Sequence, residues 1–478
     1  MFQFIASSTL DCLIPHPFAA TPVKGGGKLP AARLRTLSLA AKFAFLKPHF
    51  AELASYVKLP LKKAASAGDI AFVVDKSLAP EAYRLVVGET GIEVAAADGA
   101  GAFYGFCALS QMLNAAMAGD AEPMALDCGT VEDHPRFGYR GFMLDSARHF
   151  QSVAAIKRLL RLMAHYRLNV FHWHLTDNQS YRVPSAGAPE LNGFASLEAG
   201  NYSAADIAEV VAYAKSLFIE VIPELDMPGH STGLLELHPE LACPNAKAPA
   251  REYCLGSKET RAFLKKRIAE FVALFPESRY IHLGGDEAAT ANWDQCPRCR
   301  AALKKLKTNS MRDLEAEFMA EMCNFVTSLG RTPMTWCTSS LFPAGTLVQA
   351  WQTIEDSLHT FAAGNPMVYS IHRNFYFDYQ QNADEPHWDW MINLSEEDVY
   401  NSAPFDGWAD PRPGQFAGVE ACLWTERVPE RRLMQKITPR LAAFAECAWS
   451  MPWHKNHTGF LARKHRLEDA AADGFFQS

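Results

Sequence analysis

The pattern of apolar and polar positions changes near residue 132, and the change predicts two domains. Before it, strand-like pieces such as Ile70–Val74 and Tyr83–Val87 and an apolar helical stretch at 101–116 predict a small α+β domain, residues 1–132. After it, from 133 to 478, short apolar segments alternate with amphipathic ones. The pattern of the second region therefore predicts alternating strands and helices.

Eight strand candidates occur in this second region, at 139–145, 169–175, 218–226, 280–286, 332–338, 346–352, 367–373 and 418–424. Amphipathic helical stretches lie between many of them, at 153–166, 204–216, 260–275, 311–329 and 433–448. Short buried strands joined by crossover helices predict a (β/α)8 TIM barrel, so the expected fold class is α/β. A doubly wound sheet is the alternative, but no glycine-rich phosphate turn follows the first strand.

Composition and charge narrow the class of protein. The chain has 478 residues, of which 49% are hydrophobic, and this is enough for a large globular core. A net charge of -7 and the absence of a basic patch argue against nucleic acid or an anionic membrane as partner. No apolar stretch reaches the roughly 18 residues that span a bilayer, and the first residues lack the basic start of a signal peptide. We therefore expect a cytoplasmic protein.

Eleven cysteines form an odd number without framework spacing, which favours reduced thiols over disulfides. Cys296-Pro-Arg-Cys299 is an exception, because such a pair can ligate zinc together with Cys243 and Cys254 if their loops meet. The interval between Cys243 and Cys254 is not that of a zinc knuckle. Ordinary loop thiols are the favoured interpretation, so we expect no metal and no cofactor.

Polar and aromatic residues gather where the predicted strands end. A barrel brings these strand ends together at one mouth, where the active sites of such barrels lie. Asp286 and Glu287 follow two glycines that allow the chain to bend and a ligand to approach. The other strand ends contribute His172, His174, Asp177, Glu224, Asp226, His230, Trp336, Trp351, Tyr376, Asp378, Trp424 and Glu426. Aromatic faces and paired carboxylates are typical of a carbohydrate pocket.

Each of these residues also has a simpler interpretation. The two glycines and two acids could form a solvated turn. Taken singly, His172 and His174 are best explained as hydrogen-bonded core residues, and Arg140 as part of an ion pair at the surface or the barrel bottom. A site is favoured because all eight strand ends contribute to it together.

Five segments, in this order, resemble glycoside hydrolase family 20, the β-N-acetylhexosaminidases. They are YRGFMLDSARHF at 139–150, NVFHWHLTD at 169–177, IPELDMPGHS at 222–231, HLGGDE at 282–287 and Trp424-Thr-Glu426. The segments at 13–17 and 82–113 resemble the small N-terminal domain of that family. The resemblance therefore covers nearly the whole chain and supports the same fold class.

The resemblance implies a retaining reaction in which the acetamido oxygen of the substrate attacks the anomeric carbon and forms an oxazolinium intermediate. Glu287 resembles the general acid and base, Asp286 the acceptor of the acetamido N–H, and Tyr376 the donor to the acetamido oxygen. We expect a raised pKa for Glu287 because the charge of Asp286 lies beside it. The other residues implied at the substrate are Trp336, Trp351 and Trp424 around the sugar, Arg140, Asp378 and Glu426 at its hydroxyls, and Asp177 and His230 as supports of the acid.

Two departures from the family pattern leave questions open. Residues 178–181 differ from the two acids and Gly-Trp that follow Asp177 in many relatives, and this puts the adjacent subsite in doubt. The insert at 380–390, with His387 and Trp388, either shapes the leaving-group side or forms a packed lid.

The expected activity is release of terminal GlcNAc, with GalNAc as a second sugar, from small oligosaccharides or glycoconjugates. The alternatives are a relative that releases a disaccharide or a modified hexosamine, and a sugar-binding protein without catalysis.

Overall fold

The computed structural model confirms a small N-terminal α+β region followed by a closed parallel barrel. It describes residues 8–471 except 65–67, 118–123, 248, 383–384, 386–389, 407, 409–410 and 413. His387 and Trp388 of the 380–390 insert lie outside the described residues. Trp390 of the same insert is exposed, and its ring lies 5.7 Å from that of Tyr379.

The N-terminal region is a mixed sheet covered by a buried helix. Its strands are β1 (Ala19–Pro22), β2 (Lys28–Pro30), β3 (Thr36–Leu39), β4 (Lys62–Lys63), β5 (Ile70–Val74), β6 (Tyr83–Val87), β7 (Ile92–Ala96), β8 (Ala125–Asp127) and β9 (Gly129–Asp133). The main sheet has the order β1-β9-β6-β7-β5-β3-β4, and β2 pairs with β8. Helix α1 spans Lys47–Tyr56 and α2 spans Gly99–Met117. A Cβ at Gly101 would lie 2.3 Å from the Ala82 carbonyl oxygen, so this glycine lets α2 approach the sheet closely.

The barrel closes through parallel pairing of every neighbouring strand. Its strands, in order around the barrel, are β10 (Tyr139–Asp145), β11 (Val170–His174), β14 (Glu220–Glu224), β15 (Tyr280–His282), β16 (Thr332–Trp336), β17 (Leu347–Ala350), β18 (Met367–Tyr369) and β19 (Phe416–Leu423). A short hairpin of β12 (Thr176–Asp177) and β13 (Ser180–Tyr181) extends from the end of β11. All seven residues of β10 are buried, as expected for a parallel strand covered on both faces.

Helices surround the barrel and fill its loops. They are α3 (Val153–His165), α4 (Ala204–Ser216), α5 (Thr232–Leu237), α6 (Lys258–Leu274), α7 (Ala291–Gln295), α8 (Pro297–Leu306), α9 (Met311–Ser328), α10 (Ile354–Ala363), α11 (His372–Phe375), α12 (Glu396–Asn401), α13 (Leu433–Trp449) and α14 (His457–Ala471). None of the helices in the described part of the chain combines the length and apolar character needed to cross a membrane.

Candidate active site

The chain turns out of the barrel wall directly after β15, and this turn presents two acids. Gly284 and Gly285 have φ of +65° and +113°, and Glu287 has φ of +53°. A Cβ at Gly284 would lie 1.7 Å from Oδ1 of Asp226, so only glycine fits there. The Gly284 carbonyl accepts a hydrogen bond from the Trp336 amide at 2.8 Å, which ties the turn to β16. The turn therefore places Asp286 and Glu287 at the carboxyl end of the barrel.

Asp286 is the buried member of the pair. Its side chain is 12% exposed, and no described residue forms a hydrogen bond with its Oδ1. Burial, with a smaller contribution from the charge of Glu287, raises the pKa of Asp286 to about 6. Oδ1 of Asp286 is therefore an acceptor that no donor of the described residues satisfies.

Glu287 is the exposed member, and its pKa differs from the expectation. Its side chain is 59% exposed, and its Oε2 lies 3.5 Å from Nε2 of His230. The interaction with His230 lowers the pKa of Glu287, so the raised value expected from Asp286 alone is wrong for the substrate-free protein. The contact with the His230 cation outweighs burial, which would raise the pKa of Glu287.

His230 connects the acid pair to a buried anion. Its Nδ1 lies 3.2 Å from Oδ1 of Asp177, and its backbone has φ of +50°, a conformation that non-glycine residues rarely adopt. Although burial alone would lower it, Asp177 raises the pKa of His230 well above its ordinary value. The structure therefore joins Asp177, His230 and Glu287 in a single line.

Arg140 is a correction to the predicted site. It is the second residue of β10, at the end of the barrel opposite Asp286. Its guanidinium is fully buried and donates to Glu81 and Tyr104 of the N-terminal region, both at 2.9 Å, and to the Phe137 carbonyl. Arg140 therefore joins the barrel bottom to helix α2 and to the turn before β6, which agrees with the simpler of its two interpretations.

Arg148 occupies the mouth instead, and sequence reasoning missed it. Its guanidinium lies 2.7 Å from Asp177, 3.2 Å from Asp145 and 3.8 Å from Glu426, and it stacks over Trp424 at 5.0 Å. The signal was available, because Arg148 follows the carboxyl end of a predicted strand whereas Arg140 stands near its start.

A buried polar chain of acids and histidines crosses the barrel interior. Its members, from floor to mouth, are Tyr139, Glu420, His172, Glu224, His174 and Asp177. His172 Nδ1 lies 2.9 Å from Glu420, and its Nε2 lies 3.1 Å from Glu224. Although burial alone would lower it, Glu420 and Glu224 raise the pKa of His172 to about 9. The interpretation of His172 and His174 as hydrogen-bonded core residues is confirmed.

Aromatic rings wall the mouth. Trp336 donates from Nε1 to Glu224 at 2.8 Å, and its ring centroid lies 5.8 Å from that of Trp424. Tyr376 lies on the other side of Trp424 at 6.2 Å, and burial raises the pKa of its hydroxyl well above the ordinary value. Trp351 follows β17, is half-buried and donates to the Cys337 carbonyl at 3.0 Å. The three rings thus pack in a row, in which Trp424 is half-buried and Trp336 and Tyr376 are buried.

Two further acids stand at the rim. Burial, with a smaller contribution from Glu426, raises the pKa of Asp378 to about 8, and no described residue forms a hydrogen bond with its Oδ1. Burial also raises the pKa of Glu426, which lies beside Arg148. These carboxyl groups offer acceptors, and donors when protonated, to hydroxyls of a ligand.

Several His, Asp and Glu groups are close enough to hold an ion. They are His172 with Glu224 and His282, His174 with Asp177 and Asp226, and Asp226 with His230 and Asp286. The histidines in these groups already contact carboxylates of the polar chain and its neighbours, so we assign no metal to the mouth. The arrangement is suited to acid–base chemistry on a ligand whose apolar face stacks on aromatic rings.

Comparison with known proteins covers both regions. Family models described as glycosyl hydrolase family 20, catalytic domain, and glycosyl hydrolase family 20, domain 2, match residues 137–452 and 13–134. A β-hexosaminidase from Akkermansia muciniphila is 34% identical over 399 residues, which is 78% of this chain and 80% of that protein.

Solved structures agree. An exo-β-N-acetylglucosaminidase from Vibrio harveyi, in complex with N-acetylglucosamine, aligns with a TM-score of 0.85 at 26% identity, over 98% of this chain and 78% of that one. A mutant Streptomyces plicatus β-hexosaminidase in complex with its product GlcNAc aligns with a TM-score of 0.81 at 27% identity, over 96% of this chain and 95% of that one. The likeness thus extends over nearly the whole chain.

Proposed function

This chain belongs to glycosyl hydrolase family 20, and we propose that it releases terminal, non-reducing β-linked N-acetylhexosamine by substrate-assisted catalysis. It is a glycoside hydrolase with a small sugar substrate. GlcNAc is the main sugar proposed and GalNAc the second. Small oligosaccharides or glycoconjugates are the proposed source of the sugar.

The proposal rests on one observation, which is that two adjacent carboxyl groups have different environments. Asp286 is buried with a free acceptor atom, whereas Glu287 is exposed at the mouth. A substrate N–H that reaches Oδ1 of Asp286 would satisfy that atom and turn the acetamido oxygen toward the anomeric carbon. The Asp286 carboxylate then offsets the positive charge that develops on the acetamido group as the ring closes.

Glu287 is the proposed proton donor and, in the second step, the proton acceptor. Its side chain is exposed to solvent, and a sugar in the mouth would exclude solvent from the carboxyl group and raise its pKa. His230 is held by Asp177 and contacts Glu287, so it orients the carboxyl group toward the leaving oxygen. The same carboxylate then deprotonates the water that opens the oxazolinium ring.

The rest of the mouth fits a hexosamine. The half-buried ring of Trp424 offers a face to the C–H side of the sugar, and the buried rings of Trp336 and Tyr376 pack beside it, where the acetamido group would bind. Asp378 and Glu426, with Arg148 beside Glu426, line the rim where sugar hydroxyls would bind. Arg148 takes the role first expected of Arg140.

The test is hydrolysis of the para-nitrophenyl β-glycosides of GlcNAc, GalNAc and glucose, together with the β-linked disaccharide of GlcNAc. Activity confined to acetamido sugars is expected. Glu287→Gln should lower turnover by about 10²-fold or more on the disaccharide, whose leaving group is poor, and by less on the nitrophenyl glycoside. Equal activity on the glucoside, or an unaffected variant, would overturn the proposal.

A thiazoline analogue of the cyclised intermediate tests acetamido assistance separately. Tight competitive inhibition is expected, because the analogue resembles the transition state more closely than the substrate does. Normal hydrolysis without such inhibition would leave the hydrolase intact and remove the assisted mechanism.

We also propose a cytoplasmic location. All eleven cysteines lie among the described residues and are buried without disulfides, which is typical of a reducing compartment. Thiol alkylation in freshly lysed cells of the native host, with fractionation, tests this. Recovery of the protein in an exported fraction would contradict it.

A further inference from the structure

Four cysteines from two loops meet at one point beside the candidate active site. Cys243 and Cys254 lie in the connection between β14 and α6, while Cys296 caps α8 and Cys299 lies in its first turn. Their sulfur atoms all lie within 4.8 Å of one another, and each residue is at most 4% exposed. We propose that these four cysteines bind a structural Zn²⁺ ion.

The distances between the sulfur atoms match a tetrahedral site. Sγ of Cys254 lies 3.7 Å from that of Cys296 and 3.9 Å from that of Cys299, and Sγ of Cys243 lies 3.8 Å from that of Cys299. A tetrahedron with zinc–sulfur bonds of about 2.3 Å has edges of about 3.8 Å. A disulfide requires about 2.05 Å between sulfurs, so none of these pairs is bonded.

The backbone of both loops holds the four cysteines in place. The segments that carry Cys243 and Cys254 are joined by a bridge between Ala242 and Tyr253, and Cys254 donates its amide to Leu241 at 2.8 Å. This pairing brings together two ligands that stand too far apart in sequence for a knuckle. The Cys296-x-x-Cys299 pair at a helix start has the spacing of a structural zinc half-site.

The two loops approach each other closely at the cluster. A Cβ at Gly256 would lie 2.3 Å from the carbonyl carbon of Arg298 and 2.5 Å from the amide nitrogen of Cys299, so glycine permits this contact. The amide groups at the start of α8, a ten-residue helix, favour thiolate charge there. Binding would release one proton from each thiol that ionises, and the zinc–thiolate centre would carry a net charge of about -2.

The ion would brace the loops that hold the acid machinery. Tyr253, next to Cys254, donates its amide to the Pro228 carbonyl at 3.0 Å, close to His230. Trp293, in helix α7 after Glu287, donates to the Tyr253 carbonyl at 2.9 Å. The centre thus joins the connection after β14 to the connection after β15.

The experiment is metal analysis of the full chain, purified without a metal-binding tag and passed over a chelating resin. About one zinc ion per chain is expected in the wild type and in the control Cys128→Ser, whose thiol is buried in the N-terminal region, and well below one in Cys254→Ser. Zinc absent from the wild type, or retained equally by Cys254→Ser, would overturn the proposal.

A second measurement does not depend on the folding of a variant. Protein grown with cobalt in place of zinc should show the thiolate-to-cobalt charge-transfer bands of a tetrahedral sulfur site, and X-ray absorption should give four sulfur neighbours at about 2.3 Å from zinc. Nitrogen or oxygen neighbours, or disulfides in the intact mass, would reject a four-cysteine site. Neither readout uses hydrolysis, so the outcome is independent of the proposed activity.

Discussion

His230 Nε2 lies closer to Oε2 of Glu287, at 3.5 Å, than to Oδ2 of Asp286, at 3.9 Å. The imidazole of His230 is therefore placed to orient the exposed acid, Glu287. The pKa of the buried acid, Asp286, is determined mainly by burial. This difference separates the roles of two residues that are adjacent in sequence and otherwise alike in chemistry.

Replacing His230 with asparagine should raise the pKa of Glu287, because the cation that lowers it is removed. Turnover should fall by about 10-fold, a part of the 10² or more that a positioned general acid supplies. The basic limb of the kcat profile should move to higher pH. His457→Asn, a histidine that contacts Glu397 far from the mouth, is the control. An unchanged limb with normal turnover would show that His230 does not act through Glu287.

The pH dependence of kcat/KM should contain an acidic limb near pH 6. Asp286 must be ionised to stabilise the intermediate, and its pKa is raised to about 6 by burial. Activity should therefore fall as pH drops through that value. Asp286→Asn should lower the rate and abolish this limb; a limb that persists in the variant belongs to another group.

The same variant should be more stable than the wild type at neutral pH. Because the folded pKa of Asp286 is raised from 3.8, its ionisation opposes folding, and stability is lost as pH rises from about 4 to about 6. Asp286→Asn avoids this loss and should gain up to about 3 kcal/mol at pH 7.5. Denaturant unfolding at pH 7.5 and at pH 4 measures the gain, which should shrink at the lower pH. A gain that is the same at both pH values would come from something other than ionisation.

Two arginines of one segment should have opposite phenotypes. Arg148→Gln should lower kcat/KM by about 10- to 100-fold, the effect of losing a hydrogen bond to a charged group at the mouth. Arg140→Gln should leave kcat/KM near the wild-type value but cost about 3 kcal/mol of unfolding free energy, because buried partners lose their donor. Steady-state kinetics and denaturant unfolding on both variants measure this contrast, and a catalytic defect in Arg140→Gln without loss of stability would reverse the assignment.

Elements with local signals were predictable from sequence. Helix α4 spans Ala204–Ser216, as expected, because Ser203 and Asp206 form a capping box at its start. Strand β15 ends at His282, four residues earlier than the predicted 286, because the chain must turn at Gly284 beside Asp226. That contact comes from the loop that follows a neighbouring strand, β14, so the pattern of one segment could not reveal it.

The catalytic pair could be located from sequence, but its electrostatics could not. Adjacent carboxylates suggested mutual repulsion, whereas the pKa of Glu287 depends mainly on His230, which is far away in the chain. The cysteine cluster is a similar case, since Cys243 and Cys299 meet only after two loops fold together. Both the pKa of Glu287 and the cysteine cluster depend on contacts between residues that are far apart in the sequence.

The polar chain between Tyr139 and Asp177 allows residues at the floor of the barrel to affect proton binding at its mouth. Its contacts run in series from the Tyr139 hydroxyl and Glu420 through His172 to Glu224, and onward to His174 and Asp177. The charge on His172 therefore acts on groups that lie nearer the mouth. A substitution such as Tyr139→Phe, remote from any sugar, would then be visible in the pH–rate profile. We therefore expect residues of the barrel interior, and not only those at its mouth, to influence the pH at which the protein works best.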